Sequence, residues 1–366
     1  LAAIGFGFGI PNDERREVTE MIRRRHSPDY NFTGDTVTGL TMRWGGNLEQ
    51  NPYCAPWPEL ADISISNHCS KGCDYCYRDS KPDRSFLPLE QYCFILDSLS
   101  STRWGNVFQV ALGGGEPLEH PDFAAIIDAT VERGIIVNFT TNGEQLDRTV
   151  VKGLQNKVGA VALSASKVAE INPAKIKLLT EAGIKTNIHF ILDNHSLPDA
   201  LALLQGGYND LLQEVNGLIF LTYKPKGRAR ADACLSWNEP LQKFVALAQD
   251  NQCATRIGFD ACFVPLLLKY TEVNVDYIDA CECGFFSVYI DEKLKVKPCS
   301  FGADDRYSYN LHEADFQTIW EQKLAGYREM IVNKRCGNEC SNKRHCRGGC
   351  PYFEGLTLCY RQPWRL

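Results

Sequence analysis

Three thiols fall close together in Ser66-Asn67-His68-Cys69-Ser70-Lys71-Gly72-Cys73-Asp74-Tyr75-Cys76-Tyr77, directly after an apolar run. A closed four-iron cube or a structural zinc site takes four protein ligands, so a local set of three leaves one metal corner for something else. A second stretch, Gly113-Gly114-Gly115-Glu116-Pro117, follows the next apolar run. Its glycines let backbone approach a ligand closely, and Glu116 supplies an anion suited to an ammonium group. That charge has the wrong sign for a phosphate cradle, and no Lys-Ser or Lys-Thr follows, which argues against a nucleotide P-loop. The third constellation is Cys281-x-Cys283-x15-Cys299 with Cys336-x3-Cys340-x5-Cys346-x3-Cys350-x8-Cys359. Eight thiolates are enough for two clusters at four ligands each. The plainer alternatives are a zinc site that borrows His68 for the first loop, and a pair of zinc ribbons for the last set.

These residues need a scaffold. From residue 61 apolar periodicity predicts strands over 61–66, 107–112, 135–140, 160–164, 185–192 and 218–223. Helices are expected between them over 87–99, 123–133, 146–154, 174–182, 197–212 and 241–249. Six strand–helix units in series predict parallel strands, right-handed crossovers and helices on the outside. A complete eight-fold barrel takes about 250 residues, more than this array supplies. The expected fold class is therefore α/β, a partial (β/α)6 TIM barrel over 61–258, with the cysteine loop at the carboxyl end of its first strand. Residues 1–60 read as an N-terminal extension with a helix over 12–25 and a hairpin over 36–44. Residues 259–366 read as a small cysteine-rich α+β domain with strands over 286–290 and 294–297 and a helix over 316–330. So small a core needs staples.

Bulk properties narrow the function classes. A net charge of -6 speaks against a nucleic-acid partner or an acidic membrane surface. Hydrophobic content of 44% with 23% charged residues is ordinary globular composition. Sixteen cysteines in so long a chain, at metal-ligand spacings, indicate a reducing cytoplasm and not secreted disulfides. No run approaches the ~18 apolar residues of a membrane span, so a soluble protein with no membrane partner is expected.

Together the cysteine loop and the glycine–glutamate loop resemble the radical S-adenosylmethionine (SAM) superfamily over roughly residues 61–247. The resemblance implies that Cys69, Cys73 and Cys76 hold a [4Fe-4S] cluster whose free iron chelates the amino and carboxylate groups of SAM. One-electron reduction then cleaves a carbon–sulfur bond and releases a 5'-deoxyadenosyl radical. By the family pattern Tyr75 would lie against the adenine, and Gly114, Gly115 and Glu116 would hold the methionine amine. Ser164, ending strand four, and Asn187 on strand five are further candidates for polar contacts to the cofactor. Thr141-Asn142-Gly143 could be a tight turn or a cofactor contact, and Asn-Gly favours turns on its own.

The C-terminal thiols resemble a SPASM domain, the auxiliary-cluster extension of radical enzymes that modify peptides and proteins. That resemblance assigns Cys281, Cys283, Cys299 and Cys350 to a first auxiliary [4Fe-4S] cluster, and Cys336, Cys340, Cys346 and Cys359 to a second. Three departures stand out: Cys336 and Cys340 are one residue further apart than usual, Leu294 replaces a glycine, and Cys281 and Cys283 are unusually close. Cys281 could thus be unligated, with Cys262 or an open site in its place. The segment Tyr223-Lys224-Pro225-Lys226-Gly227-Arg228-Ala229-Arg230 resembles a Pro-x-Gly-Arg-Ala stretch of peptide-modifying members. Lys224 or Arg228 would then meet a carboxylate of cofactor or substrate, whereas the plain reading is a solvated charge run. Cys54, Cys93, Cys234 and Cys253 read as structural.

The function implied is a radical oxidoreductase that takes hydrogen from a carbon of a peptide, cross-linking or oxidising a ribosomally made precursor (RiPP maturation). Sulfatase maturation is less favoured because Ser300 stands where that subgroup carries an Asp base. Such an enzyme needs a one-electron donor such as flavodoxin or ferredoxin. The residues before strand one look too short for a leader-binding winged helix, so a separate leader-binding protein or a different recognition mode is expected. A small-molecule dehydrogenase or decarboxylase and a non-catalytic zinc-stabilised binding module are the alternatives.

Overall fold

The computed structural model describes residues 21–250, 252–302, 305–333 and 340–359. Three short antiparallel strands open it: β1 (Ile22–Ser27), β2 (Tyr30–Asp35) and β3 (Thr41–Trp44). The parallel strands are β4 (Leu60–Ser66), β7 (Gln109–Gly114), β8 (Ile136–Thr141), β9 (Val158–Ala165), β10 (Lys185–Leu192), β11 (Gly217–Thr222) and β12 (Ile257–Phe259). A small ribbon, β5 (Ser100–Ser101) with β6 (Gly105–Asn106), precedes β7. The strands β13 (Ser287–Ile290), β14 (Lys295–Lys297) and β15 (Tyr309–Asn310) complete one sheet in the order β12-β11-β10-β9-β8-β7-β4-β13-β14-β15. All six expected parallel strands are present. A short seventh, β12, spans the boundary expected at 258/259.

Burial alternates along these strands. On β8, Val137, Phe139 and Thr141 are buried under helices, whereas Ile136, Asn138 and Thr140 are only half-buried on the other face. On β10, Ile188, Phe190 and Leu192 are buried and Asn187, His189 and Ile191 are not. The inner face is therefore an accessible, partly polar lumen. Thr140 Oγ1 lies 3.2 Å from His189 Nδ1 across the intervening β9. Strands two apart in a flat sheet stand about 10 Å from each other, so the sheet is concave on this face.

The N-terminal sheet sits at the amino ends of the barrel strands. Arg25 donates from Nη1 to Trp57 O (2.8 Å) and Pro58 O (3.0 Å), and from Nη2 to Asn106 O (2.7 Å). Tyr30 OH donates to Glu59 Oε1 at 2.9 Å, Phe32 meets Phe108 edge-on, and Lys185 Nζ reaches Thr38 O. Every one of these partners lies at or just before the start of β4, β7 or β10. The sheet thus closes the floor of the lumen. This corrects the helix expected over 12–25: Ile22 to Arg25 are strand, because burial of Arg25 against the floor outweighs the local helical pattern, and residues 12–20 lie outside the described residues.

Two expected helices are interrupted. The one over 197–212 becomes Leu197–Leu204 and Asn209–Leu212, separated at Gly206, whose φ of 79° ends the first helix. The one over 316–330 runs Phe316–Thr318, a π turn Ile319–Lys323 and Ala325–Asn333.

The cysteine-rich segment shares the barrel's sheet. β13 adds in parallel to the free edge of β4, with Ser287 opposite Leu60 and Ile290 opposite Ile63. Leu294, at the position of the family glycine, has φ of 62° in the turn between β13 and β14. A non-glycine residue there costs roughly 1–2 kcal/mol, which is the physical reason to expect glycine. Among the described residues no helix is long and apolar enough to cross a membrane.

Candidate active site

The cysteine loop leaves the carboxyl end of β4 and is pinched at its base, with Lys81 N donating to Asn67 O and Cys69 N to Lys81 O, both 3.3 Å. Inside it, Cys76 N donates to Cys73 O and Asp79 N to Cys76 O, each 3.2 Å, so the chain turns twice and all three thiols stay half-exposed. Gly72 takes φ of 69° with nothing near its Cα, which makes the tight return between Cys69 and Cys73. Ser80 N points at Cys76 Sγ from 3.5 Å, a donor suited to a thiolate. Burial pushes the Cys69 and Cys73 thiols up, so they keep their protons at neutral pH until a metal displaces them. Among the described residues no three His, Cys, Asp or Glu side chains gather around a single-ion site.

The glycine loop is packed directly on the start of the cysteine loop. Gly115 N donates to Ser66 O and Glu116 N to His68 O, both 2.8 Å, continuing the β4–β7 pairing past a bulge at Ser64/Ser66. A Cβ on Gly115 would stand 1.9 Å from His68 O, and one on Gly114, whose φ is 107°, 2.2 Å from Ser66 O. Glu116 is 2% exposed. Its carboxylate accepts from Thr141 Oγ1 (2.5 Å), Asn142 N (2.8 Å) and Leu118 N (3.1 Å). Burial still raises its pKa against these three donors. A carboxylate has about four lone-pair sites, so an ammonium group would fill the remaining one and compensate the charge.

Thr141-Asn142-Gly143 is a turn: Asn142 Oδ1 accepts from Glu144 N and Gly143 has φ of 76°. It also serves the site, since Thr141 and Asn142 bind Glu116 and the buried Asn142 Nδ2 has no partner. An orphaned buried donor beside the glycine loop is what an absent polar ligand would leave behind.

The lumen below completes the surroundings. The Tyr75 hydroxyl makes hydrogen bonds to Cys73 and to Ser166, just past β9. Ser164 is opposite His189 in the β9–β10 register, while Asn187 is opposite Ala162 and Gly217 and accepts from Asn216 Nδ2 at 2.8 Å. Asn187 therefore stands one layer nearer the floor than Ser164, and His189 lies beside Ser164. Burial pushes His189 down to about 4, so its imidazole is neutral at physiological pH. Spacing along β10 puts Asn187 and His189 on one face, but only the cross-strand register shows which of them meets Ser164.

Residues 63–204 match the family model of the radical SAM superfamily. That stretch of the barrel is a radical SAM domain. Over 335 residues the chain is 25% identical to the mycofactocin maturase MftC of Mycobacterium tuberculosis (strain CDC 1551 / Oshkosh), covering 84% of this chain and 81% of that protein. A SAM-bound structure of SuiB from Streptococcus suis shares the fold with a TM-score of 0.69 and 17% identity, over 91% of this chain and 95% of that one. The anSMEcpe structure with bound AdoMet and the Cp18Cys peptide superposes with a TM-score of 0.58 and 18% identity, over 80% of this chain and 89% of that one.

Beyond the barrel, the structure brings several C-terminal thiols together. The Cys281 and Cys283 thiols are hydrogen-bonded to each other, Cys283 also to Cys299, and Cys262 to Cys350. Cys281 and Cys350 are also electrostatic neighbours. Hydrogen bonds thus link Cys281, Cys283 and Cys299 in one run and Cys262 with Cys350 in a pair. Cys346 and Cys359 are buried and Cys340 is half-buried; Cys336 lies outside the described residues.

The basic exit loop of β11 is not a solvated charge run. Arg228 donates from N to Cys76 O (3.0 Å), from Nε to Cys73 O (3.0 Å) and from Nη1 to Ser80 O (2.8 Å) and Asp79 (3.1 Å). Lys224 Nζ donates to Asp260 at 2.6 Å and Thr222 O at 2.8 Å. The carboxylates these cations meet in this structure are the protein's own, Asp260 and Asp79.

Asp62 is a lumen residue that sequence reasoning missed. It is half-buried on β4, and the nearby Arg78 is engaged by Tyr289 and Glu292 instead. Burial pushes Asp62 up to about 7, partly offset by Arg78. An aspartate whose folded pKa is raised costs nothing below its unfolded pKa and progressively destabilises the fold as pH rises toward 7. Asp62→Asn is therefore expected to leave thermal stability unchanged near pH 4 and to raise it at pH 8 by on the order of 1–3 kcal/mol. Equal melting shifts at both pH values would refute the assignment.

Proposed function

We propose that this chain is a radical SAM enzyme that modifies a ribosomally made precursor peptide by cross-linking or oxidising it. The observation that carries the reading is the seating of the Cys69–Cys76 loop on the glycine loop, with an unfilled carboxylate site on Glu116 and an orphaned Asn142 amide beside it. Relatives that it matches over most of its length are named maturases, and SuiB, whose fold it shares, is known bound to the precursor peptide SuiA.

In this reading Cys69, Cys73 and Cys76 hold a [4Fe-4S] cluster, and Gly114, Gly115 and Glu116 receive the amine of SAM with Tyr75 alongside. The chemistry supplied there is one-electron cleavage of SAM to a radical that takes hydrogen from a substrate carbon. Ser164, Thr140 and the neutral His189 line the space below; an uncharged imidazole offers one donor and one acceptor without adding a positive charge. The N-terminal sheet under the floor keeps water from the lumen, which protects a reactive intermediate. The division into 1–60, 61–258 and 259–366 would then correspond to an N-terminal extension, a radical barrel and a SPASM domain.

Cys281, Cys283, Cys299 and Cys350, with Cys262 as an alternative to Cys281, would hold the first auxiliary [4Fe-4S] cluster. Cys336, Cys340, Cys346 and Cys359 would hold the second. A flavodoxin or ferredoxin would supply electrons, a separate protein would present the leader, and the cytoplasm would keep the thiols reduced. Anaerobic reconstitution is expected to give a brown protein with about twelve irons, four per cluster, that releases 5'-deoxyadenosine from SAM under reduction. Colourless protein that binds zinc, or no 5'-deoxyadenosine, would sink the proposal.

A further inference from the structure

The loop that carries Cys76 and the loop that carries Cys299 meet through one aromatic pair. Tyr77, next to Cys76, stacks on Phe301, two residues after Cys299, with centroids 4.3 Å apart and planes at 28°. Phe301 N donates to Cys299 Sγ at 3.4 Å, and the Tyr77 hydroxyl is hydrogen-bonded to Ser300. By covalent bonds the two cysteines are separated by the whole barrel; through the stack they are separated by two rings and a few bonds.

A single bracket holds the pair. Lys226 Nζ donates to Ser300 O at 2.7 Å and Gly302 O at 3.0 Å, gripping the Cys299 side. Two residues on, Arg228 grips the Cys73 and Cys76 carbonyls. Gly227 between them has φ of 66°, and a Cβ there would stand 2.5 Å from Cys76 O. Lys224 Nζ lies 4.6 Å from the Phe301 ring centre. A stack that merely filled space would not need its two loops fixed to each other by one rigid segment.

We infer that the Tyr77–Phe301 stack is the electronic path between the cluster on the Cys69–Cys76 loop and the cluster that Cys299 helps to hold. One electron leaves one cluster and enters the other; no bond forms or breaks, neither ring is oxidised, and no proton moves. Aromatic rings in van der Waals contact supply orbital overlap across a gap that the backbone does not bridge. The inference rests on both thiol sets being cluster ligands, as proposed above.

The test uses reconstituted holoenzyme and three variants, Tyr77→Leu, Phe301→Leu and Tyr77→Phe, with iron content and the EPR spectrum of each cluster recorded first. Rapid-freeze EPR after mixing with a substoichiometric one-electron reductant then follows how fast the electron redistributes between clusters. Either Leu variant is expected to redistribute it several-fold more slowly with both spectra intact, and Tyr77→Phe at the wild-type rate. Phe301→Met replaces Phe301→Leu if the latter does not fold. Wild-type rates in the Leu variants, or a Tyr77→Phe variant as slow as Tyr77→Leu, would overturn the inference. Wild-type protein that binds only four irons would instead remove the reading it rests on, and this is visible before any rate is measured.

Discussion

Gly115→Ala is expected to abolish 5'-deoxyadenosine formation and to leave the protein about four irons short, one cube's worth. The added Cβ would lie 1.9 Å from His68 O and 2.6 Å from His68 C. Both are backbone atoms, so no side-chain rotation relieves the clash. Relief requires moving His68 away, which breaks the Glu116 N to His68 O and Gly115 N to Ser66 O bonds that seat the cysteine loop. Overpacking of this kind costs about 1–3 kcal/mol even where the surroundings can adjust. Gly113→Ala is the control: nothing lies within 4 Å of a Cβ at Gly113, and iron content should stay at the wild-type value. Full iron and normal turnover in Gly115→Ala would show that the two loops are not coupled as described.

The second large effect is expected at Arg228. Its guanidinium and backbone amide together hold the carbonyls of Cys73, Cys76 and Ser80. Arg228→Leu keeps the backbone N–H on Cys76 O but removes the guanidinium donors to Cys73 O and Ser80 O in a partly buried place, which frees the cysteine loop to shift. Displacement of a reacting centre by about 1 Å can cost around a hundredfold in rate, and a loss of that order in 5'-deoxyadenosine formation is the expected result. Arg228→Lys should recover only part of it, because a point charge on a flexible stem cannot reproduce the fork. Cluster loss on exposure to an iron chelator, timed for wild type, Leu and Lys variants, separates loop positioning from a general fall in stability. Equal chelation times across the three would contradict the clamp.

Much of the site was legible because its chemistry is written locally. A three-cysteine loop and a Gly-Gly-Gly-Glu turn need no distant partner to be noticed, and the strand–helix period that places them at one end of a sheet is likewise a local property. The glycines were legible as residues that permit a close approach, whereas the need at 115 is a clash with His68, a residue that sequence does not place beside it. The helix expected over 12–25 shows the opposite failure. Ile22 to Arg25 lack any signal for the floor they bury against, so local pattern pointed the wrong way.

Sequence alone determined which thiols are present, their grouping into a loop of three and a C-terminal set of eight, and the parallel strand array that carries the first group, since all of these depend on residue spacing over short stretches. Only the tertiary structure decided that β13 joins the edge of β4, that Arg228 and Lys226 bracket two cysteine loops, that Tyr77 meets Phe301, and that His189 stands beside Ser164. Those contacts join residues far apart in the chain. Sheet order and cross-strand register, which residue periodicity does not encode, bring them together.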